Sequence, residues 1–168
     1  MDEIVIADYD LAWAGQFAEI AGRVRAAFAD GPLIAVEHIG STAVMGLAAK
    51  PIIDIDVIIP SHSDVPGAIA RLATLGYTHQ GDLGISGREA FHTPPGTVPH
   101  HLYLCVCDNA EYRRQVTFRD YLRDHGDEAK RYEALKRDLA AQFPTDRAAY
   151  SAGKSEFVEA TLQKASVR

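Results

Sequence analysis

The order of apolar and polar positions divides the chain into two stretches with different periods. Between Asp10 and Asp30, Trp13, Phe17, Ile20, Val24 and Phe28 recur at spacings of four, three, four and four, which places them on one face of a helix. Asp10 is placed to cap that helix and Gly31-Pro32 to end it. Leu33 to Glu37 then reads as a short strand running into a turn at Gly40-Ser41. From Pro51 to Ile59 the residues Ile53, Ile55, Val57 and Ile59 alternate with Ile52, Asp54, Asp56 and Ile58, the clearest strand of the sequence, closed by Pro60. Val65, Ile69, Leu72 and Leu75 return to helical spacing before Gly76.

Tyr77 to His92 predicts a short strand, a glycine-rich loop with Gly81, Gly84 and Gly87, and a strand around Glu89 to Thr93. After the Pro94-Pro95-Gly96 turn, His100 to Cys107 reads as a returning strand with Leu102, Leu104 and Val106 on one face and His101, Tyr103, Cys105 and Cys107 on the other. Strand signals stop at Asp108. Asn109–His125, Asp127–Phe143 and Thr145–Ala165 are helical in spacing, with Asn109, Asp127 and Thr145 as caps and Gly126 and Pro144 as breaks. The expected architecture is α/β (α+β): one domain over residues 1–168, with an α/β core at 1–108 and a helical part at 109–168.

Composition adds three constraints. With 168 residues and 47% hydrophobic content the chain can bury a real core, which excludes a disordered or disulfide-stapled chain. Cys105 and Cys107 are two apart on a strand, roughly 6–7 Å between Cα atoms with parallel side chains, so an internal disulfide is not expected. No apolar run approaches the ~20 residues of a membrane-spanning helix and Met1 to Asp10 is acidic, so the expectation is a cytoplasmic protein without membrane partners. The net charge of −6 excludes a protein that coats nucleic acid through bulk electrostatics. That charge is uneven: residues 1–108 carry 5 basic and 13 acidic residues, net −8, and residues 109–168 carry 12 basic and 10 acidic, net +2.

The chemistry concentrates between Glu37 and Asp56. Gly40 and Ser41 follow a strand and open a short helix, where backbone N–H groups and the Ser41 and Thr42 hydroxyls can converge on an anion; the plain alternative is a capped turn. Asp54 and Asp56, two apart on a strand that is otherwise apolar on both faces, project from one face and repel each other unless a cation lies between them. The plain alternative there is a strand end reaching solvent.

Ser41 and Asp54 are thirteen residues apart, and Gly-Ser after one strand with Asp-x-Asp on the next resembles the signature of the nucleotidyltransferase superfamily related to polymerase β. More narrowly, His38-Ile39-Gly40-Ser41-Thr42, Gly46-Leu47, Ala49-Lys50-Pro51-Ile52-Ile53-Asp54-Ile55, Phe118-Arg119-Asp120-Tyr121-Leu122-Arg123, Tyr132 and Leu135-Lys136 resemble the GrpB family (UPF0157 type). The resemblance runs from Trp13 to about Phe157.

The resemblance implies a nucleotidyltransferase-like mixed sheet, with Gly40, Ser41 and Thr42 at nucleotide phosphates and Asp54 and Asp56 as catalytic residues holding Mg²⁺ or Mn²⁺. A nucleoside monophosphate would pass from a nucleoside triphosphate to a small acceptor. A link to dephospho-CoA kinase follows from the same resemblance, because GrpB-like chains are sometimes fused to it. Lys50 and Arg88, two of the five basic residues of the first half, are natural phosphate contacts, and Arg119, Arg123 and Lys154 can add to them. For Arg119 the plain alternative is an ion pair with Asp120 that docks its helix on the sheet. Tyr150 and Lys154, four apart, can reach a base and a phosphate.

The pattern departs from the superfamily in one respect. Its usual third carboxylate is missing from the His100–Cys107 strand, which offers His101 and Tyr103 on the polar face, so His101 is the candidate third metal ligand, with Glu37 or Glu89 as substitutes. Two further readings stay open: a nucleotide-binding or interaction module of the same fold without turnover, and a His/Asp metal-dependent phosphohydrolase.

Overall fold

The computed structural model describes residues 2–167. Five strands form one mixed sheet: β1 (Ala35–Ile39), β2 (Ile53–Ile59), β3 (Thr78–Gly81), β4 (Arg88–His92) and β5 (His100–Val106), in spatial order β1-β2-β5-β4-β3. Only β2 and β5 run parallel; β1–β2, β4–β5 and β3–β4 are antiparallel. Helices α1 (Ala12–Ala27) and α2 (Val65–Thr74) belong to the first half of the chain, and α3 (Ala110–Asp124), α4 (Gly126–Gln142), α5 (Arg147–Gly153) and α6 (Ser155–Ser166) to the second.

The period-2 pattern of β2 sorts its side chains between two different environments. Ile53, Ile55, Val57 and Ile59 join Leu102, Leu104 and Val106 of β5, Ile20, Val24 and Phe28 of the α1 stripe and Leu72 of α2 in the main core. The opposite face carries Asp54 and Asp56, and the helical half lies over it, bringing a second apolar cluster of Val44, Leu47, Leu122 and Tyr132. No helix among the described residues is long and apolar enough to cross a membrane. Cys105 and Cys107 are both free thiols.

Several boundaries differ from the sequence reading, each for a local reason. β1 runs on to Ile39, because it pairs with β2 from Ala35↔Ile58 to Ile39↔Asp54 and stops only where Gly40 turns to φ +73°. The last predicted helix is two, α5 and α6, meeting at Gly153 and Lys154; a Cβ at Gly153 would run into Leu139 of α4. Asp146, rather than Thr145, caps α5 by accepting from the Ala149 N–H at 3.0 Å. Gly126 begins α4 directly instead of separating it from α3. Asn109 caps α3 as expected, accepting from the Tyr112 N–H at 3.0 Å.

Candidate active site between the sheet and the helical half

A cleft of about 400 Å³ opens between the β1-β2-β5 face and helices α3 to α6, lined by residues from both halves of the chain. Gly40, Ser41, Thr42, Lys50, Asp54, Arg88, His101 and Lys154 all border it. The turn after β1 is pressed against the β2 acids: a Cβ added at Gly40 would lie 2.6 Å from Asp54 Oδ2, and the φ of +73° already disfavours any side chain. Glycine at this position is therefore a condition of the approach between the turn and the carboxylate.

Register explains how the acids meet their neighbours. Asp54 is level with Ile39 of β1 and His101 of β5, and His101 Nδ1 lies 2.8 Å from Asp54 Oδ1, in hydrogen-bond contact. Asp56 is level with Glu37 and Tyr103. Asp56 is only 1% exposed and neither of its carboxylate oxygens has a partner among the described residues. Burial first, and then the Asp54 charge, push its carboxyl up to about 7, with Arg88 opposing.

The cationic side of the cleft gathers around Tyr150. The Lys154 and Lys50 ammonium groups sit 4.5 and 5.4 Å from the centre of its ring. Lys136 of α4, 2% exposed, donates to the Ala48 carbonyl and lies 4.9 Å from the Tyr132 ring. None of the three forms an ion pair with a carboxylate among the described residues; the ion pairs of the helical half are made by its arginines and by Lys164. Burial, reinforced by mutual repulsion, brings Lys136 down to about 7 and Lys154 down to about 8.

Arg119 does not line this cleft. Its guanidinium is 7% exposed and donates to Glu37 Oε2 at 2.7 Å, Asp120 Oδ1 at 2.8 Å and the His38 carbonyl at 2.9 Å, so it docks α3 on β1 instead of meeting a phosphate. This is the ion-pair arrangement, the plain alternative for Arg119, and it also engages Glu37, the substitute third acid. Glu89 is also displaced, since its carboxylate meets His79 Nε2 at 2.6 Å on β3. Thr42 borders the cleft, but its Oγ1 is 2.8 Å from His38 Nε2. His38 in turn stacks on Phe17 with 4.7 Å between ring centres, and burial, followed by repulsion from Arg123, lowers it to about 4, so it stays neutral.

Three cleft residues carried no separate signal in the sequence. Glu111, in the first turn of α3, borders the cleft and adds a negative charge facing Asp56. Lys136 lies within a helical motif but spacing alone does not tell a buried lysine from a surface one. Arg114 pairs with Glu159 of α6 while bordering the cleft. Among the described residues, no group of three or more His, Cys, Asp or Glu is gathered closely enough to hold a metal on its own.

Comparison with known proteins places this geometry in a family. UPF0157 protein YqkA of Bacillus subtilis is 38% identical over 164 residues, covering 97% of this chain and 47% of YqkA, so the chain spans about half the length of that relative. UPF0157 protein PA4798 of Pseudomonas aeruginosa is 40% identical over 169 residues, covering 98% of this chain and 68% of PA4798. The crystal structure of the conserved protein GrpB from Enterococcus faecalis superposes with a TM-score of 0.84 at 34% identity over 96% of both chains. The Cid1 poly(U) polymerase, solved with MgGTP bound, superposes with a TM-score of 0.53 at 12% identity over 82% of this chain and 44% of its own, a likeness of fold. The family model described as GrpB protein matches residues 3–164, and the chain belongs to the GrpB family.

Proposed function

We propose that the protein is a metal-dependent nucleotidyltransferase that moves a nucleoside monophosphate from a nucleoside triphosphate to a small acceptor. The observation that carries this reading is the convergence, in one cleft, of the Gly40-Ser41 turn pressed on Asp54 and three lysines lacking acidic partners among the described residues, with Asp56 buried two residues along the same strand face. A cleft cationic at one side and doubly acidic beside it suits a polyphosphate that carries its own divalent cation.

The donor set fits Mg²⁺ or Mn²⁺. Asp56 buries two carboxylate oxygens without partners beside Asp54, and Mg²⁺ is held typically by one or two protein carboxylates, with substrate phosphates and water completing its shell. When bound, the cation would polarise the α-phosphate and offset the charge of the carboxylates. The chain's own residues do the rest: Lys50, Lys136 and Lys154 hold the outer phosphates, and Gly40 and Ser41 let them approach the turn. The acceptor oxygen forms its bond to the α-phosphorus as the bond between that phosphorus and the β-phosphate oxygen breaks; pyrophosphate leaves and the hydroxyl proton passes to water.

A second reading, nucleotide binding without turnover, is favoured by one observation: the strand beside Asp54 presents His101 where the superfamily usually has an acid. Incubation with each labelled nucleoside triphosphate, Mn²⁺ and a pool of small acceptors separates the readings. Pyrophosphate release with a modified acceptor that disappears in Asp54→Asn supports transfer. Binding without turnover supports the second reading, and hydrolysis to the monophosphate alone supports a phosphohydrolase built on His101 with Asp54 and Asp56. Unchanged activity in Asp54→Asn would show the proposed acid pair to be wrong.

A further inference from the structure

Two groups of opposite charge stand unpartnered in the same neighbourhood without closing on one another. Neither Asp56 oxygen has a partner, and the Arg88 Nε is likewise buried and unpartnered among the described residues. Arg88 reaches from β4 over β5 to lie 4.1 Å from the centre of the Tyr103 ring, the residue level with Asp56. Stacking on tyrosine fixes the plane of a guanidinium without using its N–H donors, which leaves its fork free for a carboxylate or phosphate. Arg88 borders the cleft whereas Asp56 does not, so a ligand entering the cleft meets the guanidinium.

Strand register sets Arg88 apart from the lysines. Lys50 precedes β2, whereas Arg88 pairs with Cys105, which is level with Ile58. Along β2 the order of the groups is therefore Lys50, Asp54 and then the Arg88 guanidinium, which lies over Tyr103 at the level of Asp56. Arg114, the other arginine bordering the cleft, is already engaged by Glu159. The cleft thus has two separate cationic groups, the lysines and the Arg88 guanidinium on Tyr103, with Asp54 bordering it as well. If the lysines hold the leaving pyrophosphate, an in-line attack brings the acceptor from the opposite side of the α-phosphorus, the Arg88 side.

We infer that Arg88, stacked on Tyr103, is the acceptor subsite, and that the acceptor is a small hydroxylated molecule bearing an anionic group, a phosphate monoester or a carboxylate. This rests on the nucleotidyl-transfer reading, which supplies the direction of attack. It also moves Arg88 from the nucleotide's phosphates to the second substrate. A neutral acceptor would leave the stacked guanidinium desolvated and unpaired, the kind of loss by which a polar site rejects the wrong ligand.

The test uses the intact chain with Mn²⁺-free buffer, saturated with a non-hydrolysable α,β-methylene triphosphate and Mg²⁺ so that the lysine end is filled. The nucleotide affinity is measured first by calorimetry, across analogues of the four common bases. Methyl phosphate, acetate and methanol are then titrated at constant ionic strength while the Arg88 Nε–Hε resonance is followed by NMR, identified by its absence in Arg88→Gln. The expected result is a saturable shift with methyl phosphate or acetate and none with methanol; which anion saturates at lower concentration distinguishes the two sources. Arg88→Gln should weaken binding of that anion at least tenfold while nucleotide affinity stays within twofold, and Arg88→Lys should recover part of the anion affinity. Retained nucleotide affinity in the variants also reports that they fold. A linear, non-saturating shift with both anions, or a loss of nucleotide affinity in Arg88→Gln in place of anion affinity, overturns the inference and leaves the nucleotide site standing. Failure of the wild-type chain to bind any of the analogues overturns the underlying reading itself.

Discussion

Replacing Asp56 by Asn should stabilise the metal-free protein, because the carboxylate is kept at a cost in folding free energy. The side chain is 1% exposed, its oxygens have no partners among the described residues, and its folded-state value of about 7 stands against an ordinary 3.8. The difference corresponds to a ceiling of roughly 4 kcal/mol at about 1.36 kcal/mol per pH unit. Since the folded value is the higher one, the folded chain binds more protons than the unfolded chain between about pH 4 and pH 7. Stability therefore falls as pH rises through that interval and levels off above it. Asn keeps the shape without the charge, so the variant should gain about 2–4 kcal/mol at pH 8 and less than about 1 kcal/mol at pH 4. Urea unfolding of both proteins in chelator at the two pH values measures the gain directly, and thermal melts should follow by roughly 2–4 °C per kcal/mol. Adding Mn²⁺ should narrow the gap at pH 8, since a cation that binds the folded acid pair stabilises the wild type and not the variant. A variant no more stable than the wild type at pH 8, or a gain of equal size at both pH values, would refute the claim that Asp56 is an uncompensated buried acid.

Three further outcomes follow from the same geometry. Binding of a triphosphate should raise the depressed values of Lys136 and Lys154, so at pH 8 it should take up about one proton, and affinity should fall as pH rises above 7; calorimetry in buffers of different ionisation enthalpy measures the uptake. Gly40→Ala sets a Cβ 2.6 Å from Asp54 Oδ2 in a left-handed backbone, and should cost at least about 1–2 kcal/mol in urea unfolding and lose triphosphate binding more than tenfold in the same calorimetric titration. Arg119→Met leaves Glu37 and the His38 carbonyl without their partner and should cost about 2–3 kcal/mol of stability, yet the folded variant should bind triphosphate within threefold of the wild type; selective loss of binding would return Arg119 to the phosphate site.

The parts of the fold most readable from sequence were those whose burial is one-sided. The α1 stripe and the alternation of β2 each commit a face to the core, and the Asp54, Asp56 and His101 face followed from the same period of two. What pattern could not resolve was the partner of each long charged side chain. Arg119 and Arg123 lie on the same helix and in the same motif, and so look equivalent, but one is 7% exposed and spent on β1 while the other reaches the turn. Lys136 reads as one of two lysines on a polar helix, and only the packing of α4 onto Ala48 buries it. The position of β1's end depended on cross-strand register, a property of two segments together.

Those long-range contacts give the helical motif a physical reason to accompany the turn and the strand acids. Arg119 holds the His38 carbonyl and Arg123 holds the Ala43 carbonyl through both Nε and Nη2, at 3.0 and 2.7 Å, so α3 grips the backbone on either side of Gly40-Ser41. From α4, Glu133 accepts from the Ala48 N–H at 3.0 Å and Lys136 donates to the Ala48 carbonyl. The segment between β1 and β2 contains a three-residue 3₁₀ turn and a single bridge from Ala49 to Ala7, and a left-handed glycine at its start would leave it free to move if it hung from the sheet alone. Charge-assisted bonds to its carbonyls, each worth roughly 1.5–3 kcal/mol, fix its course before any ligand arrives. The helical half therefore contributes more than cations to the cleft wall: it preorganises the turn that presses on Asp54, and the net +2 of residues 109–168 is in part the charge that does so.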